Sequence, residues 1–407
     1  MAQRGITFLK GLEDPKYPLL GPNIRGLYLF GLWLYGSKLR TYCFYIIHSF
    51  SIMFVFTMTV QLYLYIKRND YAKMLENISI TALSIVAISK ISYVVTHMGK
   101  WRELVENISE EERNVIKSRD PEILQITKDY TMYARLVTYF FWGIVLFTNA
   151  VTLVTPFITC LTPDYVEKLN NGTEVLPHIL NSWFPFDDSK GYGYIASVII
   201  HAYMTTQGAG IIASYDAHAM VIMTFFKGQM MILGSKCRRL FVIDDLITSE
   251  GIYSRIKECH RLHNYLMTQF KLFDSLLSPV MFVYMLVCSI TICCSVIQLN
   301  LPNTSLSQKL WAIEYAAAQI FQLFLYCWHS NDILMESLAV DRGVFNNDWW
   351  AADTRIRRHL VMLAAKLNNV FQLKAGPFTR LSMPTFIDIM KGSYSFYTLF
   401  AQIPENK

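Results

Sequence analysis

Twenty-six consecutive residues, 41–66, contain no Asp, Glu, Lys or Arg, and a helix needs only about 20 apolar residues to cross the hydrocarbon core of a bilayer. Such a stretch constrains the fold more than any motif, because a soluble domain of ordinary size has no interior that needs it. Comparable stretches recur at 77–97 (with Lys90 inside), 136–162, 192–215, 278–299 and 310–331 (with Glu314 near its start). A seventh, 381–403, is the weakest because it carries Asp388 and Lys391, each costing roughly 2.5 to 3.5 kcal/mol near the membrane centre. Charged residues make up only 17% of the 407, against about 25% in soluble domains. The pattern predicts an all-α integral membrane protein with seven transmembrane helices. It argues against a secreted enzyme, a disordered regulator and a nucleic-acid binder.

Orientation follows from the basic residues, since short cytoplasmic loops retain Lys and Arg. Of the 37, 28 fall in residues 1–40, 99–135, 227–278 and 331–380, while 7 fall in the alternate loops and the tail after residue 400. The N-terminus is therefore expected in the cytoplasm and the C-terminus outside. Residues 1–40 hold six of these bases and no apolar core before Leu27, so nothing there reads as a cleavable signal and the first helix directs insertion. The resulting organisation is a cytoplasmic segment (1–40), transmembrane helices one to four with their outer loops (41–226), a first cytoplasmic anchor part (227–278), helices five and six (279–331), a second anchor part (332–380), and a seventh helix with a short outer tail (381–407).

Asn-x-Ser/Thr sequons begin at Asn77, Asn107, Asn171 and Asn303. Only those facing the lumen are modified, so glycans are expected at Asn171, Asn77 and Asn303 and not at Asn107. Of eight cysteines only Cys160 borders an outer loop, which leaves no intrachain disulfide framework there. Cys259, His260 and His263 form a C-H-x-x-H cluster of which only Cys259 and His263 share a helix face, too little for a metal site. No cofactor is expected, and no nucleophile arrangement or phosphate-binding glycine loop argues for an enzyme.

Seven helices also describe G-protein-coupled receptors, but those have an outer N-terminus and a disulfide to the second outer loop. The C-terminal third points elsewhere. It reads FQLFLYCWHSN at 321–331, Asp348-Trp349-Trp350, LKAGPFTRL at 373–381 and TFIDIMKGSYSFYTLF at 385–400, with LPHILNSWFPF earlier at 176–186. Together these segments resemble the insect odorant receptor family across its whole topology. The resemblance implies a ligand-gated, non-selective cation channel of four subunits, in the plasma membrane of olfactory sensory neurons, with seventh helices around a central pore and a cytoplasmic anchor bundle. The loop of about 50 residues between helices four and five and the chain length are similar to the odorant-tuning subunits, which assemble with a common co-receptor (Orco), rather than to the co-receptor itself. A gustatory-type or other seven-helix sensor without its own pore, or a membrane carrier, is the alternative.

On that reading the site residues divide into three groups. A pocket for a small volatile should be apolar and closed with few polar groups, and the outer halves of the helices supply Ser84, Ile88, Thr148, Asn149, Thr152, Ile195, Ile199, Tyr203, Thr291 and Tyr315, Asn149 and Tyr203 foremost; ordinary packing is the alternative for each. Ser395, Leu399, Gln402 and Ile403 share a face of the seventh helix, and apolar rings at Leu399 and Ile403 would gate by dewetting, unless they pack against a neighbour. Trp349, Trp350 and Phe371 are large apolar residues outside the spans and candidates for the subunit anchor interface. Asp388 and Lys391 are spaced for a local pair, and Lys90 is close enough to its helix end to reach water by snorkelling.

Overall fold

The computed structural model describes residues 11–34, 36–160, 163–171, 176–241, 249–300 and 306–402. Eleven α-helices, a short 3-10 helix (Trp349–Ala351) and one small hairpin account for the described architecture. Six helices are long and apolar enough to cross a membrane. They are α2 (Lys38–Arg68), α3 (Tyr71–Thr96), α5 (Pro121–Thr159), α7 (Gly191–Arg238), α8 (Ser249–Asn300) and α9 (Leu306–Phe345). Helix α11 (Met383–Gln402) coincides with the expected seventh span and is the polar one. The shorter helices are α1 (Gly21–Leu29), α4 (Met98–Ile116), α6 (Pro163–Asn170) and α10 (Thr354–Leu367).

Local sequence sets several of the ends. Helix α2 stops at Asn69, which takes a left-handed conformation with φ of 57°, a role that Asn fills better than most residues. The next residue, Asp70, caps α3 by accepting the Lys73 amide, so the connection between two spans is two residues long. Asp120 caps α5 through the Glu122 and Ile123 amides, with Pro121 at the first helical position where its missing N–H is not needed.

Helix α7 is the hub. Almost all its residues from Gly210 onward are buried, because α5 and α9 flank it and α1, α3 and α8 also pack on it. Helix α2 lies at the periphery, with Tyr42, Tyr45, Ile46, Ile52, Met53 and Phe56 exposed, as expected of a helix that turns its side chains to lipid. The helices overrun the expected spans: α7 extends to Arg238, α8 starts at Ser249 and α9 ends at Phe345. The segments 227–278 and 331–380, expected to extend the helices into an anchor, are largely continuations of membrane helices among the described residues.

Two regions outside the expected spans are structured as well. Residues 99–135 do not form a plain loop: α4 runs through them with Trp101, Leu104, Val105, Ile108, Glu112 and Val115 buried, a helical three-and-four spacing that seats one face against α8 and α5. The N-terminal segment is not a loose tail either. Leu19, Leu20, Ile24, Leu27, Leu32 and Trp33 join the main core, the Asn23 amide donates to Thr138 Oγ1 at 3.2 Å, and Arg135 binds Glu13 and the Pro18 carbonyl.

The LKAGPFTRL segment forms the hairpin, β1 (Lys374–Ala375) antiparallel to β2 (Thr379–Arg380). It docks where Pro279 interrupts α8. Proline cannot donate to the carbonyl four residues back, and that carbonyl, Ser275 O, accepts from the Tyr93 hydroxyl at 3.0 Å instead. The hairpin fastens alongside: Lys374 N–H donates to Asp274 Oδ1 and Gly376 N–H to Ser278 Oγ. Gly376 has a φ of 69°, and a Cβ there would lie 2.6 Å from the Phe282 ring, so both conformation and space demand glycine.

Candidate ligand cavity and the buried ion pair beneath it

A cavity of about 160 Å³ opens between α2, α3, α5, α7 and α9. Each wall is a helical stripe. Helix α3 supplies Ile80, Leu83, Ser84, Ala87, Ile88 and Ile91; α5 supplies Phe141, Ile144, Val145, Thr148, Asn149 and Thr152; α9 supplies Trp311, Tyr315, Ala318, Gln319 and Gln322. These are the i, i+3, i+4, i+7 positions that one helix face presents. Helix α7 contributes Met204, Thr205, Gly208, Ala209, Ile211 and Ile212, and α2 closes the side with Ser51, Phe54 and Val55. At Gly208 a Cβ would meet nothing within 4 Å, so the absent side chain is part of the open volume.

Most polar groups of the wall are already engaged. Ser84 donates to the Ile80 carbonyl, Thr205 to the His201 carbonyl and Tyr315 to the Ser79 carbonyl. Thr148 donates to Glu314 Oε1 at 2.6 Å, and the Trp311 indole donates to Thr152. Trp311 stacks on Tyr315 with centroids 5.2 Å apart and planes 17° apart, which fixes the α9 side of the wall.

Below the cavity Lys90 of α3 meets Asp216 of α7. Lys90 Nζ lies 2.6 Å from Asp216 Oδ1, and the two side chains are 1% and 0% exposed. The Tyr326 hydroxyl donates to the same oxygen at 2.7 Å, Gln322 Nε2 donates to Oδ2, and Lys90 also lies over the Tyr215 and Tyr284 rings at 5.4 and 5.6 Å. Burying two ions is tolerable only with close geometry and further hydrogen bonds to the remaining sites, and here both carboxylate oxygens are satisfied. Gln322 belongs to both structures, as a wall residue of the cavity and a donor to Asp216. Lys90 therefore does not snorkel: its ammonium stays inside because its counter-ion is inside.

Of the expected pocket residues, Ser84, Ile88, Thr148, Asn149, Thr152 and Tyr315 line this cavity. Ile195, Ile199 and Tyr203 do not: all three are exposed on the first turns of α7. Tyr203 and the wall residue Thr205 are two positions apart, which is about 200° around a helix, so one cannot face the cavity if the other does. Thr291 is buried in α8 with its hydroxyl on the Cys288 carbonyl, away from the cavity wall. Sequence reasoning missed Gln319, Gln322, Asp216 and Tyr326. A usable signal was present, since Gln322 and Tyr326 are one turn apart within FQLFLYCWHSN and Lys90 and Asp216 are opposite charges, one inside an apolar stretch and one at the end of another.

The other expected sites fall as follows. Asn77 is fully buried, its amide nitrogen donating to the Asn181 carbonyl at 2.7 Å and its oxygen accepting from Thr81, which leaves no room for a glycan and corrects that expectation. Asn171 is exposed at the end of α6, and Asn303 lies outside the described residues. Phe371 is also corrected: it is 1% exposed, packed edge-on against Phe270 at 4.9 Å, and so belongs to the subunit's own core. Trp349 packs partly on that core, whereas Trp350 is exposed. On α11, Asp388, Lys391 and Ser395 are exposed, with no ion pair between Asp388 and Lys391 among the described residues; the Ser395 hydroxyl returns to the Lys391 carbonyl at 2.9 Å. Leu399 and Gln402 fall in the last turns of α11 with side chains outside the described set, and Ile403 lies outside the described residues. All eight cysteines are free.

Comparison with known proteins matches this arrangement. Odorant receptor Or2 of Anopheles gambiae is 21% identical over 392 residues, covering 95% of this chain and 98% of that protein. Odorant receptor 22c of Drosophila melanogaster is 22% identical over 312 residues, 74% of each chain. In fold the chain is similar to the olfactory receptor OR5 of Machilis hrabei, with a TM-score of 0.81 at 14% identity over 94% of this chain and 97% of that one. The same receptor in complex with eugenol gives the same TM-score. The family profile described as 7tm Odorant receptor matches residues 70–394, and with this multi-pass architecture the chain belongs to the odorant receptor family.

Proposed function

We propose that this chain is the odorant-binding subunit of a ligand-gated, non-selective cation channel in the plasma membrane of olfactory sensory neurons. It is opened by a small, neutral, largely hydrophobic volatile and works as a heterotetramer with the odorant receptor co-receptor (Orco). The observation that carries this reading is the cavity: it lies between five helices, is walled mainly by aliphatic and aromatic side chains, and is large enough for a volatile. Burial of apolar surface is worth roughly 25 cal/mol per Å², so such a guest is held by its hydrocarbon skeleton. The lining residues themselves carry no charge; Lys90 and Asp216 satisfy each other beneath them, and the nearby Glu314 carboxylate is held by Thr148. Binding favours opening only when the cavity holds the guest more tightly in the open state.

Assembly is supported by what the single chain leaves exposed. Polar residues in a membrane helix face water or protein rather than lipid, and Asp388, Lys391 and Ser395 are exposed on α11. Gathered subunits would turn this helix toward a shared aqueous path, with Leu399, Gln402 and Ile403 as the residues proposed for the constriction. The basic residues concentrated in one set of loops support an inner N-terminus and an outer C-terminus.

The test is to express the chain with its co-receptor, record currents to a panel of neutral volatiles, and repeat with Gly208→Leu, whose side chain would occupy the cavity. Currents that vanish in the variant while surface delivery persists are the expected outcome. Unaltered dose-response curves with the cavity filled would place the ligand site elsewhere.

A further inference from the structure

The polar groups around the cavity are unequal in what they have left to offer a guest. Ser51, Ser84, Thr148, Thr205 and Tyr315 each direct a hydroxyl hydrogen to a protein acceptor, and the Trp311 N–H is taken by Thr152. Of this set only Thr152, which accepts from the indole, keeps its own hydrogen. Hydroxyl oxygens that have donated retain lone pairs, so among these hydroxyl and indole groups acceptors outnumber free donors.

Asn149 makes the asymmetry specific. The residue lines the cavity and is 8% exposed. Its amide nitrogen lies 3.4 Å from Thr206 Oγ1 on α7, a contact that orients the group, while its carbonyl oxygen is buried without a hydrogen-bond partner. That oxygen is shut off from the cavity in this structure; an unpaired buried acceptor is unfavourable, and a hydroxyl guest that turns the Asn149 side chain toward it supplies the missing donor and removes the penalty. The geometry points to Asn149 as a specificity-determining residue whose side-chain carbonyl accepts a hydrogen bond from the ligand, so that the cavity selects neutral molecules bearing a hydroxyl donor, alcohols and phenols, over ketones and ethers of the same skeleton. This rests on the cavity being the ligand site.

The discriminating measurement uses matched pairs on the receptor co-expressed with its co-receptor: menthol against menthone, and thymol against its methyl ether. Members of each pair share shape and apolar surface and differ in the donor. A single neutral hydrogen bond to a buried acceptor should favour the hydroxyl member by about three- to tenfold in half-maximal concentration. Asn149→Leu, which keeps volume and removes the acceptor, should bring the two members of a pair together, mainly by weakening the hydroxyl compound. The ranking in the native receptor stands without any variant, so poor folding of Asn149→Leu does not protect the inference. Equal potency within both pairs, or silence toward all four probes in a receptor that answers other volatiles, overturns it. Preference for menthone and the methyl ether overturns it too, and would mean that the amide presents its NH₂ group. The cavity reading fails on a different result, namely responses that survive Gly208→Leu unchanged.

Discussion

Replacing Lys90 by Met strands the Asp216 carboxylate, 0% exposed, with two neutral donors and no cation. The carboxylate escapes by taking up a proton, and from an ordinary value of about 3.9 to about pH 7 that costs about 4 kcal/mol at 1.36 kcal/mol per unit. Replacing Asp216 by Asn strands the Lys90 ammonium instead, and shedding its proton from about 10.4 costs about 5 kcal/mol. Both ceilings agree with the 3 to 5 kcal/mol typical when one partner of a buried pair is removed. The double variant Lys90→Met with Asp216→Asn carries no charge, and the amide can still meet Tyr326 and Gln322. Its penalty should be about 1 kcal/mol, so the two substitutions couple by several kcal/mol. The assay is heating of detergent-solubilised receptor followed by size-exclusion chromatography of the surviving fold, with cell-surface delivery as a second readout. The double variant should rank near the native chain and both singles well below it. A double variant as labile as the worse single, or either single with native stability, would refute the claim that the two ions hold each other inside.

Three further outcomes follow from named residues. Burial pushes the Glu112 carboxyl up to about 7, against the opposing influence of the Tyr130 hydroxyl, the Leu19 backbone and Arg135; the stability this group contributes is present below its unfolded value of about 4.5 and lost as pH rises through about 7, roughly 3 kcal/mol in all. Glu112→Gln should therefore flatten the fall in thermal stability between about pH 5 and about pH 8, and an unchanged slope would assign the fall to other groups. Phe371→Ala, which empties a core site, should destabilise the subunit itself by about 3 to 5 kcal/mol, whereas Trp350→Ala should leave subunit melting unchanged and lower recovery of the co-receptor complex; the reverse order would reject Trp350 as an interface residue. Asn171→Gln should abolish a glycan-dependent gel shift that Asn77→Gln and Asn107→Gln leave in place, and a shift lost only with Asn107 would invert the proposed orientation.

The spans were legible because the bilayer sets their length, and a charge-free run such as 41–66 has few other physical explanations. That segments 227–278 and 331–380 extend the helices was expected; the residues at which they end, such as Arg238 and Ser249, were not legible, because helix propensity and packing rather than hydropathy decide there. The cavity stripes on α3 and α5 could be read from spacing, and Ser84, Ile88, Thr148, Asn149 and Thr152 were placed on it. The α7 stripe was placed on the wrong side. Lipid tails are as apolar as a ligand cavity, so the apolar run Ile195, Ile199, Tyr203 carries no mark of which it faces; the small residues Gly208 and Ala209 are the better signal, because a cavity needs missing volume where lipid does not.

The ion pair shows a different limit. An intramembrane charge demands a partner, and Lys90 announced that demand in the sequence. Several acidic residues within or bordering apolar stretches, among them Asp216, Glu314 and Asp388, could have met it. What selects Asp216, 126 positions away, is its place on the hub helix at the level where Gln322 and Tyr326 of α9 also converge. Glu314 is claimed by Thr148 and Asp388 lies on the exposed face of α11. The choice thus follows from packing α3, α7 and α9 together, and the same packing leaves the cavity directly above the pair, with Gln322 as the residue they share.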